Sequence, residues 1–291
     1  MAKRDVALFT ICNYEPIRLP TWFNYYTKHF ASMKTDYPLS DIFLLDHGGR
    51  SEAMRNNLRD DQDGELVLQM DHANQVPVHN TSSYDHDWML DTVTRFHEFL
   101  LQSYKLVVFA EVDEFLVPDP TLYPRGLYQY LTDQIKLVDT GANVAVRAMG
   151  YDVLHMPDEP DLVWDKPLLA QRRMFAPSRL YSKQLINSRT PEWLPGFHAT
   201  VAGRWSATGV AADLLLLHTH RIDRQETTTR HQRNSKRQWS ETDVRLGRGQ
   251  QHMIVSPGEV VEFCAGRCAG RNVQYEVLQP ELIPERFQKV F

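Results

Sequence analysis

Cysteine and net charge are both low in this 291-residue chain, which has three cysteines and a formal net charge of −5. Three cysteines cannot all pair with one another, and the spacing of Cys264 and Cys268 does not match half of a zinc site. The small negative charge gives no reason to expect general affinity for nucleic acid or for an anionic membrane. The composition therefore argues against a disulfide-rich secreted protein and against a nucleic-acid-binding protein.

Long apolar runs, repeats and low-complexity tracts are also missing. The opening segment MAKRDVALFTICNYE has a basic start, but its apolar run is short and is interrupted by Asn13 and Glu15. A membrane-spanning helix needs about 20 predominantly apolar residues, and the segment does not have the pattern of a signal peptide. We therefore expect a cytoplasmic protein without a transmembrane segment, while peripheral contact with a membrane surface stays open.

The first 120 residues alternate between apolar runs and helical patterns. Continuous apolar runs of the kind found in buried strands lie at residues 6–12, 41–46, 65–70 and 106–111. A helical pattern with Trp22, Tyr26 and Phe30 on one face follows the first run, and residues 86–102 form a second amphipathic pattern. Strands that alternate with helices predict an α/β protein with a mostly parallel sheet covered by helices on both faces.

The second half of the chain is less regular. Residues 143–154 and 212–222 have the pattern of strands. Residues 223–252 are strongly polar and predict a solvated helix followed by a loop. The tail from Pro280 onward predicts a peripheral closing segment.

Polar side chains follow the predicted strands, at the edge where an open α/β sheet binds its ligands. They are Thr10, Asn13 and Glu15 after the first strand, Asp46 after the second, and Glu111 and Asp113 after the fourth. In extended backbone, residues i and i+2 point to the same side, so both carboxylates of Glu111-Val112-Asp113 can face one site. Unpaired carboxylates beside an apolar run are costly to desolvate. Hard cations such as Mg²⁺ and Mn²⁺ bind oxygen ligands, so a metal site is favoured over a turn with solvated acids.

These segments resemble the glycosyltransferases with the GT-A fold, in a family-two-like group with a DxDEF motif. LVVFAEVDEFLVP is similar to that motif, and SKQLINSRTPEWLPGFHAT and LLLLHTHRID are similar to later segments, in the family's order over roughly residues 6–230. The chain departs from the pattern at Glu111, where the family has Asp, and at Gly49-Arg50-Ser51-Glu52, which lacks a second Asp. The resemblance implies a GT-A-like (Rossmann-type) fold.

The resemblance also implies an activity. It implies transfer of a sugar from a nucleotide-sugar donor, UDP-linked, to a hydroxyl of a saccharide or glycan acceptor, with Mn²⁺ or Mg²⁺ as cofactor. We expect one domain, in which about residues 1–140 bind the nucleotide sugar and about residues 141–291 build the acceptor side and the closing segment.

Candidate roles follow for individual residues. Glu111, Asp113 and one of His218 and His220 would hold the metal ion, since the two histidines alternate with Thr219 and can face one side. Thr10, Asn13, Glu15 and Asp46 would contact the donor, with Lys183 at its diphosphate. His198 and Glu114 are candidate bases, although Glu114 alternates away from Asp113 and could brace the motif instead. His198 follows Pro195-Gly196 on a predicted tight loop, where it and Trp193 could contact the acceptor. For each histidine and for Trp193, a structural role is the alternative.

Three other functions compete with this interpretation. A nucleotidyltransferase uses a related sheet but would show a Gly-rich basic loop after the first strand, and TICNYEPIR contains none. A metal-dependent hydrolase could be built on His218, His220 and the acids, but it would need more clustered ligands. A carbohydrate-binding module would not need an acid pair at the end of a parallel strand.

Overall fold

The computed structural model describes residues 2–13, 15–31, 41–47, 75–78, 84–201, 209–249, 253–267 and 278–290. The predicted strand at residues 65–70 and the segment Gly49-Arg50-Ser51-Glu52 lie outside these ranges, as does the side chain of Asp46. Within them, no helix is both long and apolar enough to cross a membrane.

One half of the sheet is parallel throughout. It contains β1 (Arg4–Cys12), β2 (Ile42–His47), β3 (Gln75–Val78) and β4 (Tyr104–Phe109), in the order β4-β1-β2-β3. Each neighbouring pair is parallel. The apolar runs explain this arrangement, because Leu8, Phe9 and Val108 are fully buried, as strands covered on both faces require. The predicted adjacency of the strands at 6–12, 42–46 and 106–111 is confirmed.

The other half of the sheet is mixed. It contains β5 (Glu114–Pro118), β6 (Ala145–Leu154), β7 (Met174–Pro177), β8 (Gln184–Asn187), β9 (Val210–His218) and β10 (Glu281–Leu282). β8 joins the halves by pairing antiparallel with β4 and β6, while β9 runs parallel to β6 and antiparallel to β5. The closing segment supplies β10, which pairs with β7 at the edge. The predicted α/β class with a mostly parallel central sheet flanked by helices is confirmed, and it is consistent with a GT-A-like, Rossmann-type arrangement.

The helices are α1 (Arg18–Ala31), α2 (His86–Leu101), α3 (Leu127–Asp139), α4 (Arg224–Ser235), α5 (Glu241–Leu246), α6 (Pro257–Cys264) and α7 (Glu285–Gln288). α1 buries the predicted face, because Trp22, Tyr26 and Phe30 are each at most 2% exposed. A fully buried side chain of this size contributes about 1.5–3 kcal/mol to folding. The carboxylate of Asp85 begins α2 by accepting hydrogen bonds from the backbone N–H groups of Asp87 and Trp88.

The polar segment at residues 223–252 differs from its prediction. A helix does form there, as α4, and Asp223 begins it by accepting a hydrogen bond from the Glu226 N–H. The helix is not solvated all round, however, because Thr227 and His231 are fully buried. Polar side chains are buried on this helix because they meet other polar groups, a pairing that hydropathy cannot reveal.

Candidate active site

A pocket of about 140 Å³ opens at the carboxyl ends of β1 and β4. The end of β1, the β4–β5 turn, residues 181–198, the end of β9 and α4 all contribute to its lining. This is the edge of the sheet at which the sequence predicts a ligand. The predicted site residues that line it are Asn13, Glu15, Glu111, Asp113, Lys183, His198 and His218.

The acidic motif forms a turn. β4 ends at Phe109, and the Glu114 N–H donates to the Glu111 carbonyl across 2.9 Å. The expectation of extended backbone at residues 111–113 is therefore wrong, because the chain reverses here to enter β5. The turn sends the two acids to different partners, Glu111 to Lys183 and Asp113 to Arg230.

Asp113 lies beside two arginines and His218. Its Oδ2 is 2.6 Å from Nη1 of Arg230, 3.6 Å from Nη1 of Arg18 and 3.8 Å from Nε2 of His218. Burial raises the pKa of this carboxyl, but Arg230, His218 and Arg18 outweigh burial and hold the pKa well below its usual range. Asp113 is therefore ionised at neutral pH, as a metal ligand must be.

The ring of His218 is fixed in one orientation. Its Nδ1 lies 2.7 Å from the Asp152 carboxylate, and its ring stacks on Tyr181 with centroids 3.9 Å apart. The carboxylate accepts the Nδ1 hydrogen, so the lone pair is on Nε2, the nitrogen that faces Asp113. A carboxylate behind a histidine is the usual support of a metal-ligating imidazole.

His220 is oriented by a second histidine. His231 Nδ1 lies 3.0 Å from the Ile254 carbonyl and therefore carries the hydrogen, so its Nε2 accepts from Nε2 of His220 at 3.0 Å. This leaves the lone pair of a neutral His220 on Nδ1. Asp113, His218 and His220 each offer one ligand atom, and these atoms lie within 4.8 Å of one another. The donor set, one carboxylate and two imidazoles of defined tautomer, fits a divalent transition metal, whereas Mg²⁺ prefers oxygen ligands.

Glu111 and Glu114 share one lysine. Nζ of Lys183 lies 2.6 Å from a carboxylate oxygen of each, and Lys183 is only 1% exposed. Glu114 is fully buried and also accepts a hydrogen bond from the Glu111 N–H at 3.0 Å. This geometry favours the bracing role for Glu114 over the role of base. It also places Glu111 beside Lys183 and outside the cluster of Asp113, His218 and His220.

His198 lies on a strained turn. Gly196 has φ +82° and Phe197 has φ 60°, and the Phe197 ring packs on Phe109 with centroids 4.8 Å apart. Nδ1 of His198 lies 2.9 Å from the Leu180 carbonyl, so the second nitrogen, Nε2, carries the lone pair. Burial, together with Lys183 and His218, lowers the pKa of His198 well below its usual value. The pocket therefore contains a neutral imidazole able to accept a proton.

The remaining predicted residues occupy different positions. Trp193 is 5% exposed, packs on Phe109 and donates from Nε1 to the Gln184 carbonyl, which favours the loop anchor over a sugar platform. Thr10 is fully buried inside β1, below the pocket. The Asp46 backbone pairs with Cys12 at the pocket edge of the sheet.

Several lining residues escaped the sequence analysis. Arg230, Asn234 and Arg237 are spaced four and three residues apart, which places them on one side of α4 and its continuation. That spacing was visible in the polar segment but gave no sign of which side would meet the sheet. The aromatic rim has no sequence signal at all, since Tyr84 and Trp239 meet only through tertiary pairing, with ring centroids 4.9 Å apart.

A second polar cluster, His155, Asp161 and Asp223, is structural. Nε2 of His155 lies 2.9 Å from the Glu159 carbonyl, and its Nδ1 accepts from the Arg224 N–H at 3.1 Å. Both ring nitrogens are therefore engaged with the backbone. The cluster attaches the start of α4 to the end of β6.

Comparison with known proteins gives a distant likeness only. No protein-family model and no curated protein matches the chain. Solved structures do match, among them TarS 1–349 of S. aureus in complex with UDP, at 11% sequence identity and a TM-score of 0.33. That match covers 91% of this chain and 71% of the other. A likeness at this level does not indicate a function.

Proposed function

We propose that the protein is a metal-dependent glycosyltransferase that moves a sugar from a UDP-linked donor to a hydroxyl of a saccharide or glycan. The observation that supports this most is the convergence of Asp113, His218 and His220, of which Asp113 and His218 line the pocket at the carboxyl ends of parallel strands. The same pocket contains a neutral histidine and arginines, which transfer of a diphosphate-linked sugar can use. The activity implied by the sequence resemblance agrees with these features.

Asp113, His218 and His220 would hold a divalent cation, and of the two expected ions, Mn²⁺ and Mg²⁺, the two imidazoles suit the transition metal Mn²⁺ better. When bound, such an ion supplies a Lewis acid that neutralises the charge developing on the leaving diphosphate. Asp113 contributes its charge without a protonation step, because its pKa is held low. Asp152 and His231 keep the two imidazoles in the tautomers that ligation needs.

The donor would lie along the ends of β1 and β2. Asn13 lines the pocket there, and Glu15 orients Arg230 and Arg233 at 3.2 and 2.8 Å. Asp46 would belong to the same donor set. The nucleotide part would comprise about residues 1–140 and the acceptor part about residues 141–291. Lys183 would act on the site indirectly, because its ammonium group holds Glu111 and Glu114 in the turn.

His198 is the residue best placed to accept the proton of the acceptor hydroxyl. It is neutral, it lines the pocket, and its Nδ1 is fixed by a backbone carbonyl. Glu114 is not, because its carboxylate is buried against Lys183. A low pKa makes His198 a weak base, so proton transfer has to accompany attack on the sugar.

The test of this function is binding of Mn²⁺ and UDP by calorimetry, together with UDP release from UDP-sugars with and without a panel of acceptors. The wild type should bind Mn²⁺ in the presence of UDP, and Asp113→Asn should lose this binding. Asp91→Asn is the control, because Asp91 is exposed and pairs with Arg95 on α2.

Other outcomes contradict the proposal. If Asp113→Asn binds UDP and metal as the wild type does, the metal site lies elsewhere. UDP release that no acceptor accelerates would favour the hydrolase. Stabilisation by sugar alone, without UDP, would favour a binding module.

A further inference from the structure

Among the described residues, three lysine and arginine side chains line the pocket, and they differ in their partners. Lys183 contacts Glu111 and Glu114, and Arg230 contacts Glu15 and Asp113. Within the part of the chain that the structure describes, no carboxylate forms an ion pair with the third, Arg237. Arg237 is half-buried at the rim, so its charge has lost part of its hydration, and the nearby Glu15 acts on it without forming an ion pair.

The surroundings of Arg237 suit a flat, bidentate contact. Its guanidinium carbon lies 5.6 Å from the centroid of the Tyr84 ring, which in turn packs on Trp239. Burial lowers the pKa of Arg237, which is the sign of a cation in a poorly solvated position. A bound anion would compensate the guanidinium group of Arg237 for the hydration that it has lost.

We propose that Arg237, with Asn234 and Arg230, binds a phosphate group of the diphosphate in the donor. The identity of the anion rests on the proposed function. A planar guanidinium donates two parallel hydrogen bonds to phosphate, and the amide of Asn234 adds a donor one helical turn away.

The position of this subsite favours the donor over the acceptor. Arg230 connects it to Glu15, just after β1, and to Asp113, just after β4, which are the strand ends assigned to the nucleotide. His198 and Tyr181, on the acceptor side, contribute to the lining from residues 181–198. The diphosphate contact expected of Lys183 is thereby assigned to α4 and the residues just after it, because Lys183 is buried between two glutamates.

The test is calorimetric binding of uridine, UDP and inorganic pyrophosphate without added metal, to the wild type, Arg237→Gln and Lys236→Gln. Lys236 is exposed and adjacent, so its variant removes the same charge without touching the pocket. Arg237→Gln should weaken UDP and pyrophosphate about tenfold or more and leave uridine unchanged. Lys236→Gln should stay within about twofold of the wild type. Arg237→Lys keeps the charge but loses the planar guanidinium. Its affinity for UDP should lie between those of Arg237→Gln and Lys236→Gln.

Two results separate this inference from the proposed function. UDP bound equally by Arg237→Gln and Lys236→Gln overturns the subsite and leaves the transferase proposal standing. If pyrophosphate binding depends on Arg237 but UDP binds no more tightly than pyrophosphate, the anion subsite is supported. The nucleotide is then removed from the proposed function.

Discussion

At the scale of single residues, Asp152 acts on the candidate site through His218 without lining the pocket. Its Oδ1 holds Nδ1 of His218, and its Oδ2 lies 3.3 Å from Nε of Arg221. Asp152 is fully buried, so its charge depends on these two partners. It therefore sets both the tautomer and the electron-donating strength of His218.

Replacing Asp152 by Asn should weaken metal binding. The amide keeps the shape of the carboxylate but removes the negative charge behind the imidazole, so Mn²⁺ affinity in the presence of UDP should fall about 10–100-fold. Calorimetry or the electron paramagnetic resonance of free Mn²⁺ measures this directly. Asp158→Asn is the matched control, since Asp158 is exposed and pairs with Arg173. Equal Mn²⁺ affinity in both variants would show that His218 is not a ligand.

At the scale of the element, α4 serves both the fold and the pocket. Its start is held by Asp223 and by the His155 contact with the Arg224 N–H, and His231 inserts between His220 and the Ile254 carbonyl. These contacts fix the rotation of the helix about its axis. The side that carries Arg230 and Asn234 consequently faces the sheet edge.

The turn at residues 195–198 is the second element that shapes the site. An L-residue at Gly196 would need a left-handed φ, and its Cβ would lie 2.9 Å from Cδ2 of His198. Phe197 already has a left-handed φ and is retained by packing in the core. The close approach of Gly196 to the His198 ring and the core packing of Phe197 therefore both hold His198 in place.

Gly196→Ala should reduce sugar transfer strongly while donor affinity stays within a few-fold of the wild type. The added methyl group displaces the His198 ring, and the positive φ costs about 1 kcal/mol or more of stability. Transfer rates and calorimetric UDP binding are measured side by side.

Gly141→Ala is the matched control for the stability that is lost through a positive φ alone. Gly141 also has a positive φ, +87°, but nothing lies within 4 Å of an added Cβ. Both variants should therefore lose similar stability, and only Gly196→Ala should lose transfer. Full transfer activity in Gly196→Ala would return His198 to a structural role.

At the scale of the whole molecule, buried neutral histidines make stability depend on pH. Burial lowers the pKa of His97 to about 3 and those of His29 and His231 to about 4. In the unfolded chain the histidine pKa values are near 6.5, so below this pH the unfolded chain binds more protons than the folded chain does. Stability is therefore lost as the pH falls from 6.5 towards 4, and the paired carboxylates add to the loss at lower pH.

His97→Met should remove much of this acid sensitivity. His97 is fully buried between the rings of Phe9 and Trp193, and among the described residues neither ring nitrogen has a hydrogen-bond partner. Between pH 7.5 and 4.5 the wild type should lose about 2–3 kcal/mol of unfolding free energy through His97 that the variant retains. Urea denaturation at the two pH values measures the difference. A parallel loss in both proteins would show that His97 is protonated inside the fold.

The sequence by itself determined three strands of the parallel half of the sheet, β1, β2 and β4, and the edge at which the candidate site lies, whereas β3 was not predicted. Continuous apolar runs such as residues 6–12 can only be buried on both faces, and alternation with amphipathic helices then makes neighbouring strands parallel. Polar residues at the ends of those runs, Asn13 and Asp113 among them, had to emerge at one edge. The location of the site followed from burial and chain direction alone.

Only the tertiary structure decided what each polar group at that edge contacts. Asp113 meets Arg230 across 117 residues of sequence and Glu111 meets Lys183 across 72. A charged side chain has many candidate partners of opposite sign, and hydropathy does not rank them. The choice was made by the β4–β5 turn, which separates the two acids, and by the rotation of α4, which brings its arginines to the sheet. Both depend on packing between segments distant in sequence, so the pattern of residues could not foresee them.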